Sequence, residues 1–176
     1  PIRELQGRIL GIVGYGALGR AVARVAESFG MTVEIANRPG GEAVVGRRNL
    51  DEILPRLDVL SLHCPLTDAT RGLIDAARLA RMKPDAVLIN TARGALVDAK
   101  ALVEALRSGR LGGAGIDVLE PEPPPADHPL LDPAIPNLIV TPHIAWAARE
   151  SRQRCLDELA LNVASFLAGG RRNRVD

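Results

Sequence analysis

The chain has 176 residues, with 22 basic and 21 acidic side chains and a net charge of +1, so no global field would hold a nucleic-acid backbone or an anionic membrane surface. Aromatic residues make up only 2%, which removes the stacking platforms that single-strand binders use, and no apolar stretch approaches the ~18 residues that a membrane helix needs. With 47% hydrophobic residues, this length suits one core, and a single domain over residues 1–176 is expected.

Apolar, β-rich runs recur at residues 8–14, 32–36, 58–63, 86–90, 112–118 and 137–141, and helical patterns fall at 18–29, 50–56, 75–82, 98–108 and 146–167. Near-continuous hydrophobic strands alternating with helices predict an α/β fold, a doubly wound parallel sheet of about six strands with helices on both faces. The first run ends in Gly14-Tyr15-Gly16-Ala17-Leu18-Gly19, and a helix follows at once. Gly14 permits a tight turn, Gly16 lets the backbone approach a pyrophosphate, and Gly19 lets the helix lie close to the sheet. The helix N-terminus offers N–H groups and partial positive charge to the anion. Asp98 is the expected N-cap of the fourth helix, and Gly109 and Gly169 stand where C-terminal glycines end theirs.

In such a sheet, ligands bind beyond the carboxyl ends of the strands. Asn37-Arg38, His63-Cys64-Pro65, Thr91-Ala92-Arg93, Asp117 and Thr141-Pro142-His143 all follow strands, and they should converge on one crevice. Residues 120–129, Glu-Pro-Glu-Pro-Pro-Pro-Ala-Asp-His-Pro, should form neither helix nor sheet, because proline removes donors and fixes φ; His128 within them reads as surface. Cys64 and Cys155, far apart, read as reduced, buried small hydrophobes, with no disulfide and no metal site. The start at Pro1 is nothing like a signal sequence and reads as the middle of a longer chain, and a cytoplasmic location is expected.

Four further stretches carry a resemblance beyond the glycine motif: Leu62-His63-Cys64-Pro65-Leu66-Thr67, residues 89–98 (Ile-Asn-Thr-Ala-Arg-Gly-Ala-Leu-Val-Asp), residues 115–124 (Gly-Ile-Asp-Val-Leu-Glu-Pro-Glu-Pro-Pro) and Thr141-Pro142-His143-Ile144-Ala145-Trp146. In this order they resemble the D-isomer-specific 2-hydroxyacid dehydrogenases, and within them the glycerate dehydrogenase or hydroxypyruvate reductase group. The resemblance implies a cofactor-binding domain inserted into a second domain that holds much of the substrate pocket, which is expected to be missing here. The implied activity is hydride transfer between a nicotinamide cofactor and a small 2-oxo acid, by a homodimer in which arms like the proline-rich loop reach across. A dinucleotide-sensing, corepressor-like binding module is the alternative, and phosphite or formate oxidation a weaker one.

The resemblance also assigns roles. Arg93 would bind the substrate carboxylate, for which a guanidinium fork that stays charged is suited. His143 would protonate the substrate oxygen as general acid, and its ring also falls at the cofactor site. Glu122 would stand against it and stabilise imidazolium; Glu120 competes on sequence alone. Asp117 would bond the nicotinamide carboxamide. Ala17, Leu18, Cys64, Pro65, Thr70, Thr91, Ala92 and Ala145 complete the cofactor set beside the three glycines, Asn37 and Arg38. Trp146 either closes the substrate pocket or packs a dimer contact. Glu34 has the spacing from Gly14 of a ribose-binding acid but sits within the strand. Aligned on the family, the tip is Asn37 followed by Arg38, an amide and a guanidinium that favour NADP(H); the alternative is NAD(H) held through Asn37.

Overall fold

The computed structural model describes residues 2–37 and 39–174. They divide into two compact units, Pro1–Pro142 and His143–Asp176.

The first unit is built on six strands, β1 (Ile9–Val13), β2 (Thr32–Ile35), β3 (Val59–Leu62), β4 (Val87–Asn90), β5 (Gly113–Ile116) and β6 (Leu138–Val140). All five neighbouring pairs are parallel, in the order β2-β1-β3-β4-β5-β6. Such runs can be apolar throughout because helices cover both faces. Leu10 and Ile12 of β1 pack with Ala23 and Ala26 of helix α1 (Ala17–Ser28) in one buried cluster. Val13 points the other way, into a larger cluster with Ile53, Leu79 and Leu102 from helices α2 (Leu50–Ile53), α3 (Ala76–Leu79) and α4 (Ala99–Arg107).

The helical pattern at 50–56 splits. After α2 the chain tightens into a 3-10 turn, Leu54–Arg56, because Pro55 brings no N–H to an α-helical ladder. The third helix is shorter than 75–82: Asp75 caps it by accepting from the Arg78 N–H at 2.8 Å, and beyond Leu79 come turns before Pro84. Asp98 caps α4 as expected, taking the N–H groups of Lys100 and Ala101. His128 is a correction: it is 6% exposed, its Nδ1 accepting from the Leu130 N–H at 3.2 Å at the head of a 3-10 turn, Pro129–Leu131.

Asp58 ties the amino ends of β1 and β3 together. Its carboxylate, 13% exposed, accepts from the Ile9 N–H at 2.8 Å, Lys83 Nζ at 3.0 Å and Arg8 at 3.3 Å. Burial alone would raise this carboxyl's pKa, but those donors outweigh it and hold it below the ordinary carboxylate value. A depressed folded-state pKa contributes stability that is present above the unfolded pKa and lost as pH falls through the folded one. Asp58→Asn is therefore expected to cost about 2 kcal/mol near neutrality, since hydrogen bonds to a charged group are lost. Urea midpoints should show that deficit shrinking as the solution is acidified below the carboxylate range; a deficit independent of pH would show that the charge is not what matters.

The second unit holds helix α5 (Arg149–Leu167). It starts three residues later than the pattern at 146–167, because residues 144–147 form a turn closed by the Ala147 N–H on the Ile144 carbonyl. The helix ends at Gly169, φ +76°, in the left-handed conformation that a C-terminal glycine supplies. Cys155 lies exposed on it, against the expectation of a buried thiol, whereas Cys64 in the first unit is buried. Among the described residues no helix is long and apolar enough to cross a membrane.

Candidate functional site

The parallel sheet brings six strand ends to one edge. In sheet order, Asn37 follows β2, Gly14 follows β1, His63 and Cys64 follow β3, Thr91-Ala92-Arg93 follows β4, Asp117 follows β5 and Thr141 follows β6. Sequence order reverses at β1, between β2 and β3, where an open α/β sheet forms its crevice.

The glycine turn at that point separates what the fold needs from what a ligand needs. Gly14 has φ +94°, and a β-carbon there would lie 2.5 Å from the Cys64 nitrogen; one on Gly19 would lie 2.1 Å from the Gly14 carbonyl oxygen. Both contacts are impossible for a larger residue, so packing alone requires these two glycines. At Gly16 a β-carbon would meet nothing within 4 Å. The protein does not need a glycine there, but a ligand approaching the backbone would. No side chain caps Gly16, and the first turn of α1 carries no acid. The N–H groups of Ala17, Leu18 and Gly19 have no intrahelical acceptor, and the first helical bond runs from Arg20 N to the Gly16 carbonyl. This cradle fits a pyrophosphate.

At the tip of β2, the Oδ1 of Asn37 accepts from the Val44 N–H at 3.1 Å. That bond fixes the amide's orientation, so the side chain has its Nδ2 donor to offer a ligand. Glu34 is held by Arg56 at 2.8 Å. Arg38 lies outside the described residues.

After β3, burial pushes the His63 ring toward neutrality, with Ser61 Oγ 2.9 Å from its Nε2. Burial likewise pushes the Cys64 thiol up, away from the thiolate a nucleophile requires. Thr70 is buried, and its hydroxyl donates to the Pro65 carbonyl at 2.8 Å and accepts from the Thr67 N–H at 2.7 Å. It shapes the loop that carries Pro65.

Sequence reasoning gave Asn90 no role, and the structure gives it one. Fully buried at the end of β4, its Nδ2 donates to the Arg93 carbonyl at 2.8 Å and its Oδ1 accepts from the Ala92 N–H at 3.1 Å. One side chain thus clamps the turn of Thr91, Ala92 and Arg93, leaving the Arg93 guanidinium exposed, with one nitrogen on the Ala92 carbonyl at 2.6 Å. An asparagine bonding the backbone two residues on is an Asx-type turn, the signal that could have found it. On β5's side, the Asp117 N–H donates to the Asn90 carbonyl, and the Asp117 carboxylate accepts from Thr141 Oγ1 at 2.5 Å. Glu122, exposed, accepts the Leu119 N–H on Oε1 at 3.0 Å, and the loop bearing it is anchored at its far end by buried His128.

His143 and Ala145 belong to the second unit. His143 has φ +54°, and its carbonyl accepts from Trp146 Nε1 at 2.8 Å, with Trp146 itself exposed. Such a backbone conformation is uncommon outside glycine.

Residues 1–145 match the family described as D-isomer specific 2-hydroxyacid dehydrogenase, NAD binding domain. A curated relative, the glycerate dehydrogenase of Methylorubrum extorquens, is 48% identical over 176 residues, which make up 100% of this chain and 55% of that protein. Among solved structures, a D-lactate dehydrogenase with NAD+ from Lactobacillus jensenii gives a TM-score of 0.87 at 33% identity, covering 99% of this chain and 57% of that one. An acyclic imino acid reductase in complex with NADPH and D-Arg gives 0.85 at 35% identity, covering 99% and 55%. The chain spans about half the length of the curated relatives it matches.

Proposed function

On the footing that this chain belongs to the D-isomer specific 2-hydroxyacid dehydrogenase family, as its NAD-binding domain, we propose that it serves hydride transfer between a nicotinamide dinucleotide and C2 of a small 2-hydroxy or 2-oxo acid. Glycerate with hydroxypyruvate, or glyoxylate, are the favoured substrates, because the glycerate dehydrogenase of Methylorubrum extorquens is 48% identical across the whole chain. The observation that carries the reading is a pyrophosphate cradle open at Gly16 on the same sheet edge as an exposed Arg93 guanidinium whose backbone turn is clamped by buried Asn90.

The chemistry divides among this chain's residues. A bound reduced nicotinamide supplies the hydride. Ala17, Leu18 and Gly19 would hold the dinucleotide's phosphates through their N–H groups, and Asp117 would bond the nicotinamide carboxamide. Arg93 grips the substrate carboxylate with two parallel donors, which fixes the 2-oxo group and draws electron density toward its oxygen. His143 gives a ring proton to that oxygen, so that a 2-oxo acid, a hydride and a proton become the 2-hydroxy acid. The family resemblance gives Glu122 the part of the carboxylate that favours a protonated ring. NADP(H) is the preferred dinucleotide, because Asn37 presents a donor and Glu34 is occupied by Arg56.

The active species is proposed to be a homodimer, as the family resemblance implies; only monomer in sedimentation at micromolar concentration, in a competent polypeptide that contains this chain, would count against that. The function is tested by titrating the chain with NADPH and NADH, then assaying oxidation of the bound cofactor against hydroxypyruvate and glyoxylate in a competent polypeptide that contains it. Saturable binding and 2-oxo-acid-dependent oxidation are expected. Binding without any oxidation, together with dinucleotide-dependent capture of a protein partner, would favour the corepressor-like alternative.

A further inference from the structure

We propose that Arg47 is a specificity-determining residue of the dinucleotide site, gripping the adenosine 2′-phosphate of NADP(H) together with the Asn37 amide. This rests on the dinucleotide reading above and adds a guanidinium to the one that the sequence already offers at the strand tip, Arg38.

The register of β1 and β2 pairs Ile12 with Ile35, and the Ala36 N–H reaches the Ile12 carbonyl at 2.9 Å. Continued by one step, this sets Asn37 beside the glycine turn. The chain then loops out and returns. The Arg48 N–H donates to the Ile35 carbonyl at 2.9 Å, and the Asn37 N–H donates to the Arg48 carbonyl at 2.7 Å. The Arg47 N–H donates to the Val44 carbonyl at 3.0 Å, and the Val44 N–H in turn reaches Asn37 Oδ1. Residues 44–48 are therefore stitched to the end of β2 and are not a free surface loop.

That stitching brings the Arg47 guanidinium over the ring of Tyr15, 5.9 Å from its centroid. Tyr15 stands between Gly14 and Gly16, so the cation is held at the mouth of the turn by attraction to the ring's face. Among the described residues Arg47 enters no ion pair. A planar, permanently charged fork with no internal counter-ion, beside an amide donor and at the strand tip where dinucleotides are sorted, matches a phosphate monoester. Without a 2′-phosphate, the same fork has only a ribose hydroxyl to meet.

The test is calorimetry on the whole chain with four probes: NADPH, NADH, 2′,5′-ADP and 5′-ADP. The variants are Arg47→Met, which keeps the aliphatic stem against Tyr15, and Arg47→Lys, which keeps the charge but loses the fork. Arg47→Met should weaken NADPH and 2′,5′-ADP by about 10- to 100-fold, the range for a hydrogen-bonded charge, with NADH and 5′-ADP within about two-fold. Arg47→Lys should fall between. An NADPH affinity untouched by Arg47→Met, an equal loss for both dinucleotides, or a wild-type chain that binds NADH but not NADPH would each overturn the proposal while leaving the dinucleotide reading intact. A wild-type chain that binds none of the four would overturn both.

Discussion

Gly14→Ala is expected to destabilise the first unit by about 3 to 5 kcal/mol, combining a non-glycine residue forced to positive φ with an overpacked contact. At φ +94° the new methyl group would sit 2.5 Å from the backbone of His63 and Cys64, where β1 and β3 run side by side. Neither strand can yield, because Leu60, Leu62 and Val13 are at 0% exposure on either side of the contact. For a domain this size that loss lowers the melting temperature by roughly 10 °C or more. Gly16→Ala supplies the contrast. Its backbone has φ −80°, and its methyl would meet nothing, so stability should stay within about 0.5 kcal/mol while dinucleotide affinity falls. Thermal melts and titration of the two variants separate the fold's reason for glycine from the ligand's. Undiminished affinity in Gly16→Ala would mean that the turn is not the pyrophosphate cradle.

The same division runs through what the amino-acid sequence reveals. All six strands were legible because a sheet covered on both faces demands unbroken apolar runs, and residues such as Leu60, Leu62 and Leu88 meet that demand. Helix ends governed by local chemistry were legible too: Asp98 and Gly109 act within one turn of their own position. Local proline effects broke the pattern at Pro55, and the turn at residues 144–147 delayed α5 to Arg149. What escaped was tertiary. His128 sits among prolines and charges, and its burial depends on the packing of Leu130 and its turn against α4. Cys155 looks apolar within an apolar helical pattern, yet the helix carries no buried residue. Among site residues, the glycines announce themselves by spacing. Asn90 does not, because its importance lies in two bonds to backbone atoms that appear only once the strand has ended. Arg47 was equally hidden, since it reaches Tyr15 through a loop of no regular structure.

Removing either Arg93 or His143 is expected to abolish most turnover, and the two losses should differ in kind. The Arg93 guanidinium is exposed while its backbone is locked by Asn90, so Arg93→Ala removes the donors without moving the turn. Two charge-assisted bonds to a carboxylate are lost, and kcat/KM for the 2-oxo acid should fall about 10²- to 10³-fold, with KM raised as well as kcat lowered. Arg93→Lys should recover only part of this, because an ammonium cannot offer two parallel donors. Asn90→Ala should imitate a weaker form of the same defect, since the arginine remains but its turn is released. His143→Ala deletes the proton donor, and kcat should fall about 10²- to 10⁴-fold with KM little changed. Dinucleotide affinity is the common control, expected to stay near the wild-type value in Arg93→Ala and His143→Ala, measured in a competent polypeptide that contains this chain. If His143→Ala turned over at the normal rate, the proton would have to come from elsewhere and the proposed mechanism would fall. If Arg93→Ala lost dinucleotide affinity in step with turnover, the guanidinium would belong to the cofactor's site and not to the substrate's.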